Sequence, residues 1–256
     1  MSTHDRKARL ARVRLAGIAV LAVGVLAAGG YLAVNTLAGD STGPGKGSAA
    51  DQPSTPSSPA PTGEGSRMTP GKAKAVTLLK STRSQNGAPV GFPKNGMGAL
   101  SAAVAYWEEY AWLDDVMARR QLQALVSPDS PQTIDKQISE VRRLREGVGL
   151  PPSGPAPAGV TFSTVVEAVR GKSLTQDGSV VQIWLEYDRY ATKPEGGGDD
   201  DPLKDQSIDV ILKWQQNQWR ITEEPQYVKL RTFPVSYDPA SVPARKDGWL
   251  RVAHAD

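Results

Sequence analysis

Apolar and polar positions divide this chain into three regimes. Leu15 to Val34 (LAGIAVLAVGVLAAGGYLAV) is an unbroken run without a charged residue. From Gly39 to about Gly71 large apolar side chains almost vanish. From Pro89 onward they return with a period, first of three to four residues and then of two. Helices are expected first and strands after them.

The helical pattern begins after Asn95, a residue suited to cap a helix amino terminus. Leu100, Ala103, Val104, Trp107, Tyr110 and Ala111 form one apolar face, and it continues through Leu113, Val116, Met117, Leu122 and Leu125. A bend near Asp114-Asp115 splits this stretch into two helices, and Ser127-Pro128 stops it. A third helix starts near Ser130 with Pro131 at its first position. Ile134, Ile138, Val141 and Leu144 line its face, and Gly147, Gly149, Pro151 and Pro152 end it.

The later pattern is that of strands. Phe162–Val169 is the first and least regular run. Val181, Ile183, Leu185 and Tyr187 then alternate with Gln182, Trp184, Glu186 and Asp188, and Ile208, Val210, Leu212 and Trp214 alternate in the same way. Trp219 and Ile221 come after the short turn Gln216-Asn217. Period two describes half-buried antiparallel strands, and short connections favour a meander. Residues 193–206 are expected to form a long hairpin connection. The fold class is α+β: about three helices packed on a curved antiparallel sheet of about four strands.

The Leu15–Val34 run changes the picture from a free domain to an anchored one. Twenty residues at about 1.5 Å each span about 30 Å, the thickness of a bilayer core. Ahead of it stand Arg6, Lys7, Arg9, Arg12 and Arg14 against Asp5, a local charge of +4 in a chain whose net charge is +3. That head predicts a cytoplasmic amino terminus and an extracytoplasmic remainder, with the membrane contacted through residues 15–34. A cleaved signal peptide is the competing reading, although its apolar core is usually shorter. The expected organisation is a basic tail at 1–14, a transmembrane anchor at 15–38, a Pro/Ser/Gly-rich linker at 39–88 and an extracytoplasmic domain at 89–256. The linker cannot bury enough surface to offset its ordering entropy. Val76, Leu78 and Leu79 mark a short docking segment within it.

Composition then removes most chemistry. There is no cysteine, and the two histidines, His4 and His254, lie near the termini. Thiolate nucleophiles, zinc fingers and triads built on a core imidazole are excluded. No catalytic residue, cofactor or metal is expected. The basic charge sits in the head rather than over a fold, so no nucleic-acid partner is expected.

The candidate residues that remain are few. Glu108, Glu109, Asp114 and Asp115, near Tyr106 and Tyr110, offer carboxylates for acid–base work or simply a solvated helix face. Asp199, Asp200 and Asp201 lack the alternate spacing of a calcium loop. Trp107, Tyr110, Trp184 and Trp219 are the candidate contacts to a partner or a pocket ligand. Trp184 falls on the strand face opposite Ile183 and Leu185. It is either exposed or covered by the tail carrying Tyr227, Leu230, Phe233, Tyr237 and Trp249.

The order of elements resembles the cone-shaped fold of nuclear transport factor two and cystatin-like domains. GFPKNGMGALSAAVAYWEEYAW (residues 91–112) looks like the opening of a set of actinobacterial membrane-anchored proteins, whose domain begins with a G-[FY]-x-x-[ST]-x-x-GA-x-x-AA helix. LKWQQNQWRI (212–221) is similar to their last hairpin and DGWLRV (247–252) to their closing segment. Asn95 stands where they often have Ser or Thr, and Gly96 where they often have Pro. Such proteins are often associated with conjugative elements, and their layout is similar to that of the inner-membrane scaffold subunit of type IV secretion systems. The resemblance implies a non-catalytic scaffold in a transfer or secretion apparatus, working through protein partners or its own copies. The alternatives are a module binding a lipid, peptide or wall fragment in the cone, and an enzyme using a pocket carboxylate.

Overall fold

The computed structural model describes residues 67–147, 149–192, 199 and 202–254. The expected span at 15–34 lies outside them. Among the described residues no helix is long and apolar enough to cross a membrane.

The body is α+β with a mostly antiparallel sheet. The three expected helices are present as α1 (Gly96–Glu108), α2 (Asp115–Leu125) and α3 (Gln132–Gly147). Asn95 caps α1 with its side chain accepting from Gly98 N at 2.7 Å. Gly98 is there for space: a Cβ would stand 2.0 Å from Pro93 O. Asp114 caps α2 by accepting from Met117 N at 2.8 Å, which places the break where the paired aspartates stand. The buried Gln121 braces the corner between the two helices. Its Oε1 accepts from Ala111 N and its Nε2 donates to Glu109 O.

The sheet holds six strands where four are expected. β1 (Val76–Thr77), β4 (Thr161–Ser173), β5 (Val180–Thr192), β6 (Leu203–Gln215), β7 (Gln218–Ile221) and β8 (Leu250–Ala253) lie in the order β1-β8-β4-β5-β6-β7. β4 to β7 are the expected meander. The additions come from the two ends of the domain: β8 pairs antiparallel with β4, and β1 pairs parallel with β8. β2 (Arg83–Gln85) and β3 (Ala88–Val90) form a separate hairpin. The folded body therefore takes in residues upstream of 89, with Thr69 and Ala88 buried. The expected 193–206 connection is shorter too, since β5 runs to Thr192 and β6 starts at Leu203.

Two irregularities shape the sheet. β4 carries an extra residue, Glu167, between the pairs Val166↔Tyr187 and Ala168↔Glu186. β6 carries one opposite Asp188, with Asp205 at φ 54°. Such bulges re-aim the neighbouring residues of their strand. Thus Val166 and Val169 both join the helix-side core, and Ala168 joins the other face.

The two sheet faces are covered differently. α1 packs across β4, β5 and β6, burying Ile183, Leu185, Tyr187 and Leu212. The opposite face is crossed by the segment 229–249. Two short helices flank or interrupt that segment, α4 (Pro225–Val228) and α5 (Val242–Asp247). Below it Trp184, Ala168, Ala244 and Trp249 form a smaller cluster, against which Tyr237 packs.

Candidate functional site

At the carboxy-terminal end of α1, aromatic rings pack between the helix and the sheet. Trp107 stands edge-on to Trp112 and Tyr187, with ring centroids 4.8 and 5.2 Å apart, and Tyr110 meets Trp112 at 4.8 Å. Edge-to-face contacts of this kind add about 0.5–1.5 kcal/mol each to the burial of the rings. Beside the rings, among the described residues, is a cavity of ≈ 20 Å³ lined by Ala103, Tyr106, Trp107, Tyr110, Leu122, Leu125, Val210 and Ile221. A single water needs about 10–15 Å³ on the same measure, so the cavity has room for one small occupant.

Arg189 closes this cluster, a residue the sequence pattern does not single out. Only 2 % exposed, it lies with its guanidinium 4.0 Å from the Trp112 ring centroid and 5.2 Å from that of Tyr187. Its Nε donates to Thr164 Oγ1 at 3.3 Å, and among the described residues no carboxylate pairs with it. Burial pulls its pKa below the ordinary arginine value. The π faces supply the attraction that a counter-ion usually gives. Its Nη2, Trp107 Nε1, Trp112 Nε1 and Tyr110 OH are buried without a hydrogen-bond partner among the described residues. Burial also pushes the Tyr110 hydroxyl well above its usual range. Parity would have found Arg189: it continues the inward series 181, 183, 185, 187.

The four carboxylates near α1 do not converge. Glu108 Oε1 accepts from Val166 N, a backbone group exposed by the β4 bulge, at 2.8 Å. Burial raises its pKa, and the Val166 bond and His254 offset part of that. Glu109 is raised by burial alone. Asp114 is the α2 cap. Asp115 points away, accepting from Arg142 Nε, Ser153 Oγ and Gly154 N. Burial works to raise Asp115, but those bonds and the Arg142 charge outweigh it and hold it below the usual range. The paired-carboxylate reading therefore lacks its pair.

His254 also differs from expectation. It is not part of the core, yet its Nε2 lies 3.0 Å from Val166 O and 3.9 Å from Glu108 Oε1. Nearness to the chain end gives no hint that β8 returns it to the end of α1. Asp199 accepts from Ala191 N at 2.7 Å, a hairpin role, while Asp200 and Asp201 lie outside the described residues. Among the described residues no cluster of three His, Cys, Asp or Glu side chains could hold a metal ion.

Of the four candidate contact residues, Trp107 and Tyr110 line the cavity. Trp219 is structural: 1 % exposed, it donates from Nε1 to Pro93 O at 2.9 Å, and its own carbonyl accepts from Tyr106 OH at 2.8 Å. Trp184 is not a surface anchor. It is 4 % exposed because the tail covers it, and the Arg170 guanidinium sits 4.3 Å from its ring centroid. Beside it on that face, Glu186 has its pKa pushed up to about 7, first by burial and then by Asp205 and Asp188, with Ser207 opposing.

No family model matches the chain, no curated protein matches it, and no solved structure matches it.

Proposed function

We propose that the chain is a non-catalytic, membrane-anchored interaction protein whose extracytoplasmic domain works by protein–protein contact, as a scaffold component of a conjugative transfer or secretion apparatus. The observation that carries this reading is the filled interior. Five side chains, Trp107, Tyr110, Trp112, Tyr187 and Arg189, pack together at the carboxy-terminal end of α1. The cavity of ≈ 20 Å³ beside them gives a lipid, peptide or wall fragment no room, which weighs against the ligand-binding reading. The dispersal of Glu108, Glu109, Asp114 and Asp115 weighs against an acid–base enzyme. Helices on one face of a largely antiparallel sheet support the cone-like architecture, and the uncharged Leu15–Val34 run supports the anchor.

The test is in-cell crosslinking of the full-length chain, followed by mass spectrometry of what copurifies in mild detergent. Recovery of other membrane subunits or transfer ATPases is the expected result. Recovery of the intact protein only from the soluble fraction overturns the anchor, and recovery of the protein alone overturns the scaffold.

A further inference from the structure

We infer that the tail strap of residues 229–240 is a membrane-contact surface that lays the domain against an anionic lipid bilayer. The inference rests on the anchored reading above and adds how the domain meets the bilayer.

Three large apolar side chains on this strap face outward. Phe233 is 80 % exposed, Leu230 49 % and Val235 47 %. Nothing about the strap's own attachment uses them. It is fastened by other groups: Tyr237 packs on Trp249, Thr232 N donates to Gln182 Oε1, Val235 N to Asp247 Oδ2, and Arg231 pairs with Asp209. Three large apolar side chains left exposed within six residues of an otherwise well-packed domain point to an interaction surface.

The occupant is indicated by where the chain outside the structure ends. The described chain begins at Arg67, and Gly71 N donates to Pro239 O at 2.8 Å, so the first described residues lie beside the end of the strap. Met68, 54 % exposed, adds a fourth apolar group there. The exposed charges around these residues are mostly cationic. Arg67, Lys72, Lys74, Lys172, Lys229 and Lys246 are exposed, against the exposed Asp238 and Glu167 and the buried Glu186, whose charges reach Tyr237 of the strap. From Arg67 to Trp107 the chain has six basic residues and no acidic one. Apolar side chains rimmed by cations suit an interface with anionic headgroups.

The absence of native cysteine allows a clean test. Full-length Phe233→Cys protein, carrying an environment-sensitive fluorophore, is reconstituted into bilayers with and without about one-quarter phosphatidylglycerol. The control is Gln123→Cys, exposed on α2 on the other side of the sheet. With anionic lipid, the label at 233 is expected to shift to the blue, brighten about two-fold and be quenched by brominated lipid chains. The label at 123 stays unchanged, and salt reverses the effect. An anchored protein whose 233 label ignores lipid composition overturns the inference and leaves the anchor standing. A label that responds to protein concentration instead identifies a second copy as the occupant and also overturns it. Salt-sensitive flotation with a responding 233 label, but extraction by alkaline wash, supports the strap and overturns the anchor.

Discussion

The two faces of the central sheet are built on different principles. The helix side is a continuous apolar core in which β5 contributes Ile183, Leu185 and Tyr187 and the helices contribute Trp107, Trp112 and Leu122. The tail side has a small cluster around Trp184 and Trp249, ringed by the pairs Arg170–Asp247 and Arg231–Asp209 and by the buried Glu186. Apolar area dominates folding free energy, whereas ion pairs and hydrogen bonds fix geometry with small net gain. The helix face should therefore decide whether the domain folds, and the tail face whether its last segment stays attached.

Trp112→Ala should separate the two most sharply. It removes a fully buried ring that contacts Trp107, Tyr110 and Arg189, and it should cost about 3–5 kcal/mol. Urea unfolding would show the whole domain shifting as one unit. A loss confined to the tail would break the comparison.

Arg170→Met addresses the other face. Arg170 stacks on Trp184, donates from Nε to Asp247 O at 2.7 Å and pairs with Asp247 Oδ1 at 3.0 Å. Its loss should cost about 1–3 kcal/mol. Amide exchange should accelerate over 231–249 while the β5 amides keep their protection.

The faces should also differ in pH response. Glu186 has a folded pKa of about 7, above an unfolded value of about 4.3. Between these values the folded state holds a proton that the unfolded state has released. The group's contribution is complete below about pH 4.3, falls as pH rises to about 7, and is constant above. Denaturation midpoints from about pH 4 to about pH 8 should thus decline, and Glu186→Gln should flatten the decline. Glu108 and Glu109, both raised, add to that slope, whereas Asp115 and Asp188, held low by their partners, oppose it at the acid end. An unchanged slope in the variant would remove Glu186 from the account.

The smallest effect belongs to Phe233→Ser. A side chain 80 % exposed should change stability by less than about 0.5 kcal/mol in detergent-free solution. A larger loss by calorimetry would mean that the outer surface of the strap also packs against the domain.

The helix face is legible because each of its signals is local. The Asn95 cap, the Asp114 break and the 181–187 alternation need only neighbouring residues, and all three stand in the structure where the pattern puts them. The tail face depends on long-range returns that no period announces. Parity places Trp184 on the second face, but beyond its cross-strand neighbour Arg170 its cover comes from Trp249 and the tail, far along the chain. β1 and β8 are too short to alternate, and they find each other across nearly the whole domain. The bulge at Glu167 reverses the parity of the rest of β4, so Ala168 and Val169 exchange faces relative to a regular strand. The aromatic cluster is half visible in the sequence: Trp107 and Tyr110 stand out as rings, whereas Arg189 reads as one charge among many.

The two-rung pairing of β1 with β8 has a mechanical meaning. Behind the contacts of Thr69 and Gly71, β1 is the first strand of the sheet, so a pull along the amino-terminal segment loads Val76↔Val252 and Thr77↔Ala253 before it reaches the long β4–β5 ladder. Two rungs yield at far lower tension than twelve. Unclipping β1 together with the residues on either side, 71–82, would free a segment whose full contour length is about 40 Å at about 3.3–3.6 Å per residue. Ala88, Val90 and the helix-side core would remain in place. Under load the edge strand should therefore give way before the long ladder does.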